Sequence, residues 1–197
     1  IIMLYTIETI TECIGARRVG THEATIDWLL TDSRSLSFPE ETLFFALTTK
    51  RNKGARYIPE LYERGVRNFV VTQEEFNELT VDNGQLTIAM QHAGSAATVN
   101  CQLSTVNFLI VGNPLKALQK LAELHRERFQ IPVIGITGSN GKTIVKEWLH
   151  QLLSPDRVIV RSPRSYNSQI GVPLSVWQMN EEAELAIFEA GISEMGE

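Results

Sequence analysis

The nine residues Gly135-Ile136-Thr137-Gly138-Ser139-Asn140-Gly141-Lys142-Thr143 constrain this 197-residue chain more than any other segment. Val133 to Thr137 reads as a short buried strand, a glycine-rich turn follows, and Lys142 to Leu153 reads as a helix. Glycines let backbone N–H groups converge on an anion without Cβ obstruction, and a helix N-terminus adds partial positive charge. Lys142 supplies a full charge for β- and γ-phosphates, and the Thr143 hydroxyl can ligate Mg²⁺. Strict phosphate-loop spacing requires glycine at position 136, which is Ile here; the glycines fall at 135, 138 and 141. The plain alternative is a surface lysine beside a glycine-rich turn. Gly-Lys-Thr at a strand–turn–helix junction argues against it.

The surrounding pattern extends this unit. Asn113 is a good N-cap and Pro114 suits a first helical position. Leu115, Leu118, Ala122, His125 and Phe129 then mark one helical face, with Pro132 beyond its end. Val158 to Arg161 reads as a strand, Leu174 to Met179 as a helix, and Leu185 to Ala190 as a strand. Strands alternating with helices at this spacing predict a doubly wound sheet. Ahead of it, Ile7, Ile10 and Ile14 fall at helical spacing with Gly15 as the stop. Ile26 to Leu30 is strand-like, and Leu43 to Leu47 is a buried-strand run. Ile58, Leu61 and Tyr62 share a helical face ended by Gly65, and Val66 to Thr72 is the next strand, so a parallel βαβ unit is expected. Residues 73–107 are weakly patterned apart from the turn signal Asp82-Asn83-Gly84. The fold class is α/β: a small mixed α/β domain over 1–112, then over 113–197 the N-terminal part of a doubly wound P-loop ATPase domain.

Composition closes off other classes. A net charge of −5 argues against a general binder of nucleic acid or anionic membrane. The longest apolar runs are five residues, far short of the roughly 20 of a membrane span, so no membrane insertion is expected. Two cysteines, Cys13 and Cys101, read as buried thiols in a reducing cytoplasm. His22, His92, His125 and His150 have no partner at metal-ligand spacing; His125 and His150 read as helix-surface or boundary residues. Trp28, Trp148 and Trp177 read as core.

Ile136 to Thr143, followed by Lys146-Glu147, resembles the ATP loop of the Mur ligase family. His125-Arg126, Phe129 and Pro132 fit as well, as do Asn167 with Ile170-Gly171-Val172-Pro173-Leu174 and Glu189-Ala190-Gly191 with Gly196-Glu197. At the front, Asp32-Ser33-Arg34 and Leu43 to Leu47 resemble that family's uridine-nucleotide domain. Within the family the likeness is to the branch that joins D-alanyl-D-alanine to UDP-N-acetylmuramoyl-tripeptide, with residues 73–107 longer and less alike.

The resemblance implies a cytoplasmic, ATP- and Mg²⁺-dependent ligase of peptidoglycan precursor synthesis, working through an acyl phosphate. It implies nucleotide contacts from Gly138, Ser139, Asn140, Gly141, Lys142 and Thr143, and catalytic roles for Lys142, Asn167 and Glu189. Thr143 and Glu189 would hold the metal, and Ser33, Arg34 and Arg51 would contact the UDP substrate. Residues alone leave other readings open: an Asx turn with Arg34 in solvent, a solvated charge at Glu189, and a loop amide at Asn167. Thr49, Lys53 and Ala55 stand where the family usually has Gly, Asp and His; Ser168 replaces a second Asn, and Ser193 and Glu194 replace Asn and His. A sister ligase adding the third amino acid, a folylpolyglutamate-synthase-like ligase and a non-catalytic nucleotide-binding module share the loop. A GTPase would normally carry the stricter glycine spacing and a guanine-reading motif. The chain stops just after a strand-like segment, so the expectation is a central domain cut short and unable to complete ligation alone.

Overall fold

The computed structural model describes residues 5–48, 53–78, 80–82, 85–92 and 95–191, with side chains described outside 79–101. Contacts divide the chain into two compact units, one running to Ala117 and the other from Leu118 onward.

In the first unit β1 (Tyr5–Thr6) leads into α1 (Ile7–Ile14), where the Thr6 hydroxyl accepts from Thr9 N at 3.1 Å. Ile7 and Ile10 are buried, and Gly15 ends the helix as its sequence predicts. There follow β2 (Arg17–Val19), β3 (Thr25–Ile26), β4 (Trp28–Leu30) and β5 (Thr42–Phe45). After α2 (Ile58–Glu63) come β6 (Asn68–Thr72), α3 (Gln73–Asn77), β7 (Thr80–Asp82), β8 (Gln85–His92), β9 (Ser95–Gln102) and β10 (Asn107–Val111). The run expected as one strand over 26–30 is split. Asp27 N and Trp28 N both donate to Glu41 O, so β3 pairs with β1 while β4 pairs with β5.

The main sheet has the order β2-β10-β6-β5-β4, parallel except for β2. The expected parallel βαβ unit is β5–α2–β6. Register aligns Phe44, Phe69 and Phe108 across three strands, with ring centroids 6.4 and 5.4 Å apart. This row shares a buried cluster with Ile58 and Leu61 of α2, and such rings carry much of a core's apolar burial. Buried Asn68 and Asn107 are also register partners. Asn107 Nδ2 donates to Asn68 Oδ1 at 2.7 Å and to His22 O at 2.7 Å, which removes most of the cost of burying two amides. Residues 73–107 contain α3 and an antiparallel ladder β7-β8-β9.

The second unit takes most of α4 (Pro114–Glu127), then β11 (Val133–Ile136), α5 (Lys142–Leu153), β12 (Ile159–Arg161), α6 (Gly171–Val176) and β13 (Leu185–Glu189). Asn113 caps α4, its Oδ1 accepting from Lys116 N at 3.1 Å. The strands are parallel in the order β11-β13-β12. The chain steps over the place of β13 on the way out and returns to it, so right-handed crossovers put α5 and α6 on opposite faces. Ala186 and Phe188 pack with Phe129, Met179 and Val176 on one face; Glu189, on the alternate phase of the strand, meets α5 on the other.

Five expectations need correction. The strand expected to be buried over 133–137 is Val133–Ile136, and none of its residues is buried. The helix expected over 174–179 is Gly171–Val176: Pro173 lies in its first turn, where no N–H is required of it. His125 is buried rather than at a boundary, with Nε2 3.0 Å from Met179 O and its ring against Phe129 and Trp177. Burial holds its pKa below the usual imidazole value, against the upward pull of the Met179 carbonyl. Trp28 and Trp148 are 45% and 68% exposed, not core. Cys13 is a half-buried free thiol, and the side chain of Cys101 lies outside the described residues. Among the described residues, no helix is long and apolar enough to cross a membrane.

Candidate functional site

Residues 137–141 form an exposed turn between β11 and α5. Gly138 and Gly141 have φ of 132° and 80°, conformations that a Cβ would strain, so these two glycines make the turn possible. Gly141 is also the N-cap of α5, and its carbonyl accepts the helix bond from Val145 N at 3.0 Å. The first amides of α5 therefore open beside the turn, where a helix favours negative charge. Lys142 folds back over the turn, its Nζ donating to Gly138 O at 2.6 Å. Ser139 and Asn140 are exposed at the tip.

Parallel pairing places Ile136 beside Glu189, so the turn and this carboxylate leave the sheet at the same C-terminal edge. Glu189 is fully buried, which excludes the solvated-charge reading. The Thr143 hydroxyl donates to its Oε2 at 3.1 Å. Its Oε1 lies 2.9 Å from Lys146 Nζ but has no hydrogen-bond partner of good geometry. Lys146, equally buried, donates to Ser162 O at 2.9 Å and to Arg164 O. Arg164 has φ of 50°, a left-handed turn that this contact helps to hold. Ser162 Oγ accepts from Glu189 N at 3.0 Å.

Asn167 joins the same edge. Its carbonyl accepts from Gly191 N at 2.6 Å, and its Oδ1 would lie 3.4 Å from a Cβ at position 191. On the α4–α6 face a cavity of about 620 Å³ reaches this edge, lined by Gln119, Arg126, Thr137, Gln169, Val172 and Gly191 among others. The structure thus brings Lys142, Thr143, Asn167 and Glu189 to one sheet edge. Lys146, which the sequence shows only within the loop resemblance, was given no site role and Ser162 was missed, because their contacts form only when β12 and β13 lie side by side.

In the first unit, Asp32 Oδ1 accepts from Arg34 N at 3.0 Å, forming the Asx turn, while Arg34 is 87% exposed and ion-paired with Asp32. The Arg34 hydrogen bonds hold the Asp32 carboxyl below its usual range. Ser33 is buried, its carbonyl accepting from Arg64 Nη1 at 2.7 Å. Thr49, Arg51, Ser193, Glu194, Gly196 and Glu197 lie outside the described residues.

Residues 136–197, the segment holding the turn and Glu189, match the Mur ligase middle domain. The UDP-N-acetylmuramoyl-tripeptide–D-alanyl-D-alanine ligase of Borreliella burgdorferi is 31% identical over 180 residues, covering 89% of this chain and 34% of the relative. The chain is thus similar to Mur ligases along most of its length. It spans about a third of the length of such relatives. Its fold is also that of a solved ligase from Acinetobacter baumannii, described as UDP-N-acetylmuramoylalanyl-D-glutamyl-2,6-diaminopimelate–D-alanyl-D-alanyl ligase. That match has a TM-score of 0.74 at 23% identity, over 99% of this chain and 38% of the other. The MurF ligase of Thermotoga maritima, solved in complex with ADP, matches with a TM-score of 0.60 at 24% identity, over 85% of this chain and 33% of that one.

Proposed function

We propose that this chain carries the uridine-nucleotide and ATP-binding parts of a cytoplasmic ligase that joins D-alanyl-D-alanine to UDP-N-acetylmuramoyl-tripeptide in peptidoglycan precursor synthesis. The observation that carries the reading is the convergence of the Gly138–Gly141 turn, Lys142, Thr143 and buried Glu189 at one sheet edge. Its domains are the substrate domain, 1–112, and the start of the ATP domain, 113–197.

ATP phosphorylates the substrate's terminal carboxylate, releasing ADP; the incoming amine then attacks the acyl phosphate carbonyl, and phosphate leaves. Little of this requires a protein nucleophile, so positioning and charge stabilisation carry the catalysis. Loop amides from Gly138 to Thr143 cradle the phosphates, and Lys142 turns from Gly138 O onto the β- and γ-oxygens. The Thr143 hydroxyl and the Glu189 carboxylate are hard oxygen donors within 3.1 Å of each other, and Glu189 Oε1 is a buried acceptor without a hydrogen bond. That donor set suits Mg²⁺, which when bound neutralises charge on the transferring phosphoryl group. Asn167 orients the nucleotide beside this edge. Ser33, Arg34 and Arg51 hold the UDP end, with Arg34 exchanging its Asp32 contact for a phosphate.

Displacement of a fluorescent ATP analogue tests the reading. ATP and ADP should displace it, whereas UDP-N-acetylmuramoyl-tripeptide should bind without displacing it. Failure of the analogue to bind, or its displacement by the UDP-sugar, would overturn the two-site assignment. Among UDP-sugars the tripeptide should bind more tightly than the dipeptide, which separates this branch from the sister ligase.

A further inference from the structure

Among the described residues, Lys146 and Glu189 are the buried members of the Lys, Arg, Asp and Glu set. The Lys146 ammonium has three hydrogens and is surrounded by the Ser162 and Arg164 carbonyls and Glu189 Oε1, with Glu147 Oε1 at 3.4 Å. It cannot swing out without leaving two carbonyls and a carboxylate unpaired. It sits one helical turn after Lys142 and Thr143, behind the turn rather than in it.

The charge balance of this cluster has a consequence. Lys146 and Glu189 cancel, and Arg161 pairs with Glu147 alongside. A divalent cation arriving alone at Glu189 would bring two positive charges against a fixed ammonium, with no free anion to meet them. A nucleotide brings its own phosphate charge. We propose that Lys146 is a built-in counter-charge that keeps Thr143 and Glu189 from binding a divalent cation until nucleotide phosphates are present. This rests on the nucleotide reading above and adds to it an order of binding and the residue that sets it.

The test uses Mn²⁺ without nucleotide, followed by electron paramagnetic resonance and by thermal unfolding of the chain. Wild type and Lys146→Arg, which keeps the charge, should bind it weakly and gain little thermal stability. Lys146→Met should bind Mn²⁺ at least about tenfold more tightly, the effect of removing a full charge in contact with the binding carboxylate. Added metal should restore its melting temperature, and adding Glu189→Gln should abolish the gain. The proposal is overturned if Lys146→Met binds Mn²⁺ no better than wild type, or stays unfolded at every Mn²⁺ concentration. Metal-free ADP binding to wild type is measured in parallel: its absence sinks the nucleotide reading, whereas the Mn²⁺ comparison speaks to Lys146 alone.

Discussion

Thr143, in the first turn of α5, donates its hydroxyl at 3.1 Å to Glu189, the last residue of β13, across 46 positions of sequence. That contact ties the glycine-rich turn to the strand end beside it. Its partner contact to Lys146 makes Glu189 half of a buried ion pair, and removing one member of such a pair leaves a charge stranded.

Glu189→Gln should therefore destabilise the second unit by about 3–5 kcal/mol, the usual cost of breaking a buried pair from one side. Combining it with Lys146→Met should cost clearly less than the sum of the two single changes. Urea denaturation of the four forms provides the cycle. Additive losses would mean that the pair is not coupled.

The row of Phe44, Phe69 and Phe108 should anchor the first unit. Phe69 is fully buried between the other two rings, so Phe69→Ala should cost about 3–5 kcal/mol through lost contacts and a residual cavity. Denaturant unfolding checks it, and a loss under about 1 kcal/mol would contradict that packing.

Acidification should weaken the second unit through His125. Its folded pKa lies below the unfolded value, so below about pH 6.5 the unfolded chain binds more protons than the folded one. The contribution is complete above the unfolded pKa and declines as pH falls toward the folded one. Melting temperatures across pH 5–8 should show this slope for wild type and a flatter profile for His125→Gln. Parallel profiles would show that His125 is not the titrating group.

In the first unit, Ser33→Ala with Arg34→Ala should weaken UDP-sugar binding and leave ATP binding unchanged. Arg34 is solvent-exposed and its partner Asp32 is local, so the pair of changes should leave the sheet intact, as circular dichroism would confirm. Unchanged UDP-sugar affinity would remove these residues from the substrate site.

Elements whose signal is local were legible in the sequence. Asn113 and Pro114 announce α4, the Gly-rich turn announces the start of α5, and the apolar run before Glu189 announces β13. Contributions that depend on distant strands were not. Lys146 is visible in the sequence only as part of the Lys146-Glu147 pair after the loop, and its burial follows from the Ser162 and Arg164 carbonyls that close around it. His125 looks like a boundary residue until Met179 and Trp177 cover it. The ladder β7-β8-β9 consists of antiparallel partners that sequence spacing does not pair. Trp28 and Trp148 erred the other way, since a large apolar side chain is not by itself a core residue.

The central claim is that the turn before α5 holds nucleotide phosphates and that Lys142 supplies the charge. Calorimetric titration of wild type and Lys142→Ala with Mg-ATP tests it most directly, because the Lys142 ammonium bonds to the Gly138 carbonyl of an exposed turn and its loss should spare the fold. Wild type should bind with measurable heat, and Lys142→Ala should lose at least about tenfold in affinity, as expected for removing a charged hydrogen-bond donor. Equal affinity of the two forms, with both folded, would contradict the account.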